Sequence, residues 1–386
     1  MSDPLYRTRR PAPARRFPSR RTWTLTTAAL AFTMTSAAAA GGYSPQMPHT
    51  WAFQWENDVF GKGRTDRHYT NGLRLTRHDA PRPYAQATGQ GASGWLTKAG
   101  ATRLCRWSAC DADGALVAAD WQLGQSMYTP QNLSSREPDP FDRPYAGWLY
   151  VAHRTRLLDR LDADHEATRQ VALDLSLGIV GPSAGAGWVQ RHWHRLVDAV
   201  TPRGWPFQLR DEPALQATFS VTRRVRLGRL ADVLPEFRVA AGTVFAYAGV
   251  GTTLRIGRRL HGFATLEPIP SAIPGVHAVP DATTGTPREP KTSSHLFASI
   301  AMRAVAHNIF IDGGTLRRPP YEDAIARRPW VNDLSLGAVM NLTPTWQLTY
   351  AHTWRSTEFR WVRTPPDGTP PPRMQRYGTI QLRRSF

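Results

Sequence analysis

The chain has 386 residues, 48 Lys and Arg against 30 Asp and Glu, a formal net charge of +18 and two cysteines. Such a charge asks for an anionic partner, yet no helix-turn-helix, zinc-finger spacing or aromatic-basic ribonucleoprotein motif accompanies it, so no nucleic acid is expected and an anionic lipid surface is favoured. Beyond residue 40 no stretch approaches the roughly 20 continuous apolar residues of a membrane helix, which excludes helical insertion.

Residues 1–40 carry seven Arg against one Asp, then an uncharged run from Thr22 that ends in Ala37-Ala38-Ala39-Ala40. A basic start, a short apolar run and a small-residue cleavage site read as a secretory signal peptide, with Ser19-Arg20-Arg21 also open to reading as a twin-arginine signal. Its removal leaves +12 on about 346 residues, one large β domain over residues 41–386. Export places Cys105 and Cys110 in an oxidising compartment, where a small loop disulfide is expected, with free thiols as the alternative.

Further along, runs of about ten residues alternate apolar and polar side chains between turns rich in Gly, Pro, Asp and Asn. These predicted strands are Trp51–Phe60, Tyr69–Arg77, Val117–Tyr128, Tyr145–Leu157, Arg169–Val180, Leu215–Leu227, Glu236–Tyr247, Gly249–Leu260, Leu296–Asn308, Val331–Leu342, Gln347–Thr357 and Tyr377–Phe386. Twelve is even, as a bacterial outer-membrane barrel requires. The last run puts Ile380, Leu382 and Phe386 on one face and ends on an aromatic, as a strand read by the barrel-assembly machinery does, although Arg384 shares that face. Trp121, Trp148, Tyr150, Trp346 and Tyr350 suit interfacial girdles. A soluble all-β sandwich would alternate similarly. Pro268–Lys291 and Thr364–Pro372 read as surface loops.

Two places depart from this pattern. The first hairpin carries Glu56-Asn57-Asp58 and Thr65-Asp66-Arg67-His68-Tyr69-Thr70-Asn71-Gly72 where its strands lose regularity, an oxygen-rich cluster that suits a hard cation or polar substrate and also a solvated loop. After Gly181-Pro182, the run Gly187–Val200 has helical spacing and is stopped by Pro202. On a helix Gln190 and His194 stand one turn apart on one face while His192 points elsewhere. A surface loop helix would carry a histidine in the same way.

Asn57-Asp58, Asp66-Arg67-x-Tyr69-Thr70-Asn71-Gly72, Tyr128-x-Pro130, Asp142-Arg143-Pro144-Tyr145-Ala146-Gly147, Gly181-Pro182, Gln190-x-x-x-His194 and Gly204-Trp205-x-x-Gln208-x-x-x-Glu212 follow one another in an order that resembles the outer-membrane lipid A 3′-O-deacylase family. The resemblance implies a twelve-stranded antiparallel transmembrane β-barrel whose site lies at its outward-facing end, between the wall and a short helix from an extracellular loop. It implies Ca²⁺-dependent hydrolysis of the ester holding the 3′-acyloxyacyl chain on lipid A. The residues suit that chemistry: His194 can take a proton from water near neutral pH, Asp58 with Asn57 and Thr70 can hold Ca²⁺ through oxygen, and Gln190 can orient water or substrate. Tyr128 and Arg136 are the candidate substrate contacts, Arg136 standing near where the family pattern can place a lysine. An outer-membrane phospholipase with a serine nucleophile and a non-catalytic barrel remain the rival readings.

Overall fold

Successive side chains of an extended strand point to opposite faces, so a strand with one apolar and one polar face must be placed between two different environments. The computed structural model describes residues 49–61, 68–87, 91–161, 167–258, 260, 262–263, 294–316, 324–365 and 374–386. The expected leader, Asp66 and Arg67, the loop Pro268–Lys291 and residues 366–372 of the second loop lie outside the described residues.

Twelve long antiparallel strands form one closed sheet. They are β1 (His49–Asn57), β2 (His68–Asp79), β3 (Leu116–Thr129), β4 (Ala146–Leu161), β5 (Ala167–Val180) and β6 (Glu212–Arg223). β7 (Ala231–Gly242), β8 (Phe245–Arg258), β9 (Ser294–Asn308), β10 (Trp330–Asn341), β11 (Trp346–Ser356) and β12 (Met374–Ser385) complete it. β1 pairs on one side with β2 and on the other with β12, Thr50 opposite Ser385 and Asn57 opposite Gly378. Closure leaves no strand edge, which a lipid environment demands. An even strand count brings both chain ends to one rim, where the His49 ring stacks on Phe386 at 5.1 Å. This is the termini end; the opposite rim carries α2 (Ala186–Leu196) and α3 (Ile309–Asp312).

Burial separates a membrane barrel from a soluble sandwich. The outward positions Phe53, Leu123, Val151, Leu177, Leu215, Val250, Leu296, Ile300 and Leu336 are exposed, whereas the inward Gln54, Arg74, Asp120, Arg156, Asp232, Arg255, Asp333 and Arg355 are buried. The apolar face is outside and the charges are inside, the reverse of a sandwich in water. Inside, three aspartates meet arginines: Asp120 accepts from Arg156 at 2.6 Å, Asp232 from Arg255 and Arg224, and Asp333 from Arg355 at 2.7 Å and Arg303 at 3.1 Å. Paired in this way, buried charges avoid the several kcal/mol that each would cost alone. The lumen is thus filled by side chains, and the polar cavity between Arg74, Gln122, Arg154, Asp174, Gln216 and Arg238 holds about 50 Å³, room for a few waters.

Several predicted boundaries shift. The seventh and eighth strands meet at Thr243–Val244 instead of at Ala248. Pro235, just before the expected start of the seventh strand at Glu236, lies within β7 opposite Thr252. It is tolerated because the pairing of β7 with β6 stops at Glu236, so no ladder hydrogen bond is lost on that side. The helix at 187–200 stops at Leu196, since Asp198 adopts a left-handed backbone (φ 54°) and Ala199 N–H turns back to His194 O. An 18-residue helix, α1 (Gly91–Ser108), joins β2 to β3 where no helix was expected. The Cys105–Cys110 disulfide closes its last turn.

Candidate active site

β1 ends at Asn57, and Asp58 opens a single 3₁₀ turn, Asp58–Gly61. The predicted strand through Phe60 therefore stops short, and the acidic residue stands on the turn instead of in the ladder. Asn57 shares the outward face with Trp55, and both donate to Asn71 Oδ1 on β2, at 3.3 Å and 2.8 Å. Asn57 Oδ1 accepts from Val59 N–H at 2.8 Å, shaping the turn that carries Asp58. Asn57 and Asp58 are both buried. Phe60 of this turn rests on the last strand, where a Cβ at Gly378 would come within 2.5 Å of the Phe60 Cβ, so only glycine fits there.

A β-bulge sets Thr70. Between Tyr69 and Asn71 the register with β3 shifts by one residue. Tyr69 then turns into the lumen, donating its hydroxyl to Glu56 at 2.7 Å, while Thr70 Oγ1 meets Thr129 Oγ1 at 2.6 Å on the outward side that Met127 and Gln125 also occupy. Regular alternation would send Thr70 inward with Gly72 and Arg74; the extra residue re-aims it.

α2 lies against that outward flank. Gln125 Nε2 of β3 donates to Ala184 O just before the helix, and Met127, Tyr145, Ala186 and Trp205 form a buried cluster beneath it. Trp193 meets Trp55 edge to face at 5.8 Å, which ties the helix to β1. The wall-facing stripe is Ala186, Gly187, Gln190 and His194, all buried, whereas Trp188, Trp193 and Leu196 are exposed. The wall side of this helix thus hides two polar groups, Gln190 and His194, while its outer side mixes Trp188, Trp193 and Leu196 with Arg191, His192 and Arg195. Gln190 Oε1 accepts from Trp205 Nε1–H at 2.8 Å, so its amide end has a fixed direction. His194 Nδ1 lies 2.5 Å from Val200 O. A carbonyl can only accept, so Nδ1 carries the proton and Nε2 keeps the lone pair, the tautomer a general base needs. His192 is exposed and donates to Trp188 O within its own helix.

The structure thus gathers Asn57, Thr70, Gln190 and His194 on one outward flank at one rim, with Asp58 on the turn that continues β1. Tyr128 goes elsewhere. Its ring is fully buried in the lumen, stacked on Phe310 at 3.8 Å with the Arg143 guanidinium 5.5 Å away, so the expected substrate contact is corrected to support from inside the wall. Arg136 is exposed on the β3–β4 loop at the same rim. That loop is anchored by Asp142, which accepts from Gln131 and Arg143 N–H at 2.7 Å each; burial pushes its carboxyl up to about 6, although those bonds oppose the shift. Next to it Arg143 reaches Glu358 at 2.9 Å. Burial would raise the Glu358 carboxyl, but Arg143, Arg355 and Arg303 outweigh it and hold it below the usual range. Sequence reasoning assigned no role to Asn71, Thr129 or Trp205. Asn71 and Trp205 stood within quoted motifs, but their partners come from other segments.

The candidate donors at this rim are the Asp58 carboxylate, the carboxamide of the adjoining Asn57 and the hydroxyl of Thr70. Among the described residues no three His, Cys, Asp or Glu side chains converge on one point. Such a donor set fits a hard cation that completes its shell with neutral oxygens and water.

The family model for outer membrane protein LpxR matches residues 25–386. The chain belongs to the LpxR family. This is the lipid A 3′-O-deacylase family to which the motif order pointed, and with the barrel it places the chain in the bacterial outer membrane. The solved LpxR from Salmonella typhimurium superposes with a TM-score of 0.60 at 17% identity, covering 87% of this chain and 100% of that one, a likeness of fold. The COG4313 outer membrane channel from Pseudomonas putida F1 gives 0.41 at 9% identity, over 89% and 97% of the two chains. The beta domain of the Bordetella autotransporter Brka gives 0.36 at 11%, over 88% and 99%. No curated protein sequence matches significantly.

Proposed function

We propose that this LpxR-family barrel hydrolyses the ester of the 3′-acyloxyacyl chain of lipid A, with water activated by His194 and with Ca²⁺ held at Asp58. The observation that carries the reading is the buried polar stripe of α2. A helix that turns Gln190 and His194 against the wall while exposing Trp188, Trp193 and Leu196 buries polar groups at positions where apolar ones would pack better. It makes sense where the outer face meets acyl chains and the hidden face does chemistry.

In this mechanism the His194 imidazole is held by Val200 O, and its Nε2 takes the proton of a water as that water attacks the ester carbonyl. The imidazolium is favoured by the same carbonyl acceptor and returns the proton to the departing sugar hydroxyl. Gln190, oriented by Trp205, directs its amide N–H at the water or the substrate oxygen. Asn57 and Thr70 stand on the same outward flank, and Arg136 at the rim suits a phosphate of the lipid A head. Asp58, with oxygens of Asn57 and Thr70 and water, would hold Ca²⁺, which when bound would supply a positive centre to polarise the ester carbonyl.

Mass spectrometry of lipid A incubated with the purified, refolded barrel tests this. Loss of the mass of one 3′-acyloxyacyl group, insensitive to serine-directed inhibitors, is expected. Unchanged lipid A with a folded barrel would overturn the reading, and inhibition by such a reagent would favour a serine mechanism.

A further inference from the structure

Helix α1 takes no part in the site. It sits at the termini end on the outward face of the wall. Ser93 near its start accepts from Trp121 Nε1 on β3, Thr97 Oγ1 lies 3.2 Å from His153 Nε2 on β4, and Trp107 near its end meets Phe219 on β6. Leu104 and Ala101 pack with Val117, Leu157 and Val171 of β3, β4 and β5. The helix therefore runs across four successive strands, around the barrel and not along it. It is seated closely: a Cβ at Gly100 would fall 2.5 Å from Thr155 Oγ1. The C-terminal end is fixed by the Cys105–Cys110 disulfide and by Arg169 Nη1–H donated to Ser108 O at 2.9 Å.

Toward the middle of the barrel, the same strands expose Leu123, Val151, Leu175 and Leu177 to lipid, so α1 flanks the edge of the apolar band. Its wall-facing residues are Thr97, Gly100, Ala101 and Leu104. Its other face presents Trp95 (64% exposed), Lys98, Arg103, Arg106 and Trp107 (61% exposed), with no acidic residue in the helix. Asp111 and Asp113 follow only in the turn beyond the disulfide. A helix in the plane of a bilayer edge, with tryptophans and basic side chains on its free face, has the composition of an interfacial element.

We propose that α1 is an interfacial helix that binds the anionic headgroups of glycerophospholipids in the leaflet at the termini end, Lys98, Arg103 and Arg106 meeting phosphate and Trp95 and Trp107 seated at the glycerol level. That this leaflet is the phospholipid one rests on the proposed function, which turns the opposite rim toward lipid A. The headgroup site itself rests only on α1. Lipids reach this face first because it lies on the wall that the membrane surrounds.

The test uses the whole refolded barrel. Native mass spectrometry after titration with phosphatidylglycerol or phosphatidylcholine should show preferential retention of the anionic lipid. In a Lys98→Gln, Arg103→Gln, Arg106→Gln variant that preference should fall by on the order of 100-fold, at roughly one kcal/mol for each of the three basic residues. In vesicles, lipids brominated near the glycerol should quench less fluorescence from Trp95→Phe than from the wild type. Heat-modifiable migration checks that both variants fold. Equal retention of the two lipids by wild type and variant, or a Trp95 signal quenched only by aqueous iodide, overturns the proposal in favour of a face left to water or covered by a protein. Lipid A hydrolysis, measured in parallel, reports on the site alone: its absence with anionic retention intact would refute the enzyme reading and leave the headgroup site standing.

Discussion

Two helices lie on the outer wall of this barrel, one at each rim, and they are built in opposite senses. α1 turns Ala101 and Leu104 to the wall and offers charge outside; α2 turns Gln190 and His194 to the wall and offers Trp188, Trp193 and Leu196 outside. The first arrangement is what burial of apolar area produces without further constraint. The second spends burial on polar groups that must then be hydrogen-bonded, as Trp205 and Val200 do for them. A helix that hides its polar side against a wall is marked for chemistry, whereas one that hides its apolar side is marked for attachment.

Substitutions should therefore separate activity from stability at the two rims. His194→Ala should lower acyl release by about 10²–10⁴-fold with the folded fraction unchanged, whereas His192→Ala, exposed on the same helix, should lose little. Equal losses would break the contrast. Asp58→Ala should bring a similar loss, mimicked in the wild type by calcium chelation and reversed by added Ca²⁺ only in the wild type; activity that survives chelation would remove the metal from the scheme. At the other rim Leu104→Ala should cost about 2–5 kcal/mol of stability, read from urea midpoints, and leave the rate per folded molecule alone. Reducing the Cys105–Cys110 disulfide should cost less, about 2 kcal/mol for so short a loop, again without a change in rate.

A smaller effect sharpens the view of the site rim. The Asp142 carboxyl titrates near 6 when folded, above its ordinary value of 3.8. Between these values the folded state holds more protons than the unfolded one, so this group's contribution to stability is complete below about pH 4 and is lost as pH rises through 6. Asp142→Asn should flatten that slope in thermal midpoints measured from pH 4 to 7; an unchanged slope would show that another group produces it.

The strand pattern was readable because a membrane barrel exaggerates it: lipid demands Leu, Val and Ile at every second position and the lumen takes Arg and Asp at the others. The same logic failed where tertiary contact overrides local preference. α1 was hidden by Gly91, Gly94 and Gly100, poor helix formers, of which Gly100 is required by the contact with Thr155. The seventh strand starts at Ala231, ahead of its expected start at Glu236, because Pro235 costs no bond where a neighbouring ladder has already ended. Within the site, Gln190 and His194 were legible from a spacing of four on a helix. The outward turn of Thr70 depends on a bulge that a linear pattern does not encode, whereas the inward turn of Tyr128 follows the alternation from outward Leu123, and only its stacking on Phe310 needed the fold.

The seam between the first and last strands has a consequence for timing. The turn bearing Asp58 is braced by Phe60 over Gly378, a residue of the strand made last, and β1 has an open edge until that strand arrives. A chain whose last strand has not yet docked therefore lacks the floor of the Asp58 turn. Under the proposed function, closing the cylinder is also the event that completes the metal-holding turn, so folding in the membrane and competence for hydrolysis should arrive together.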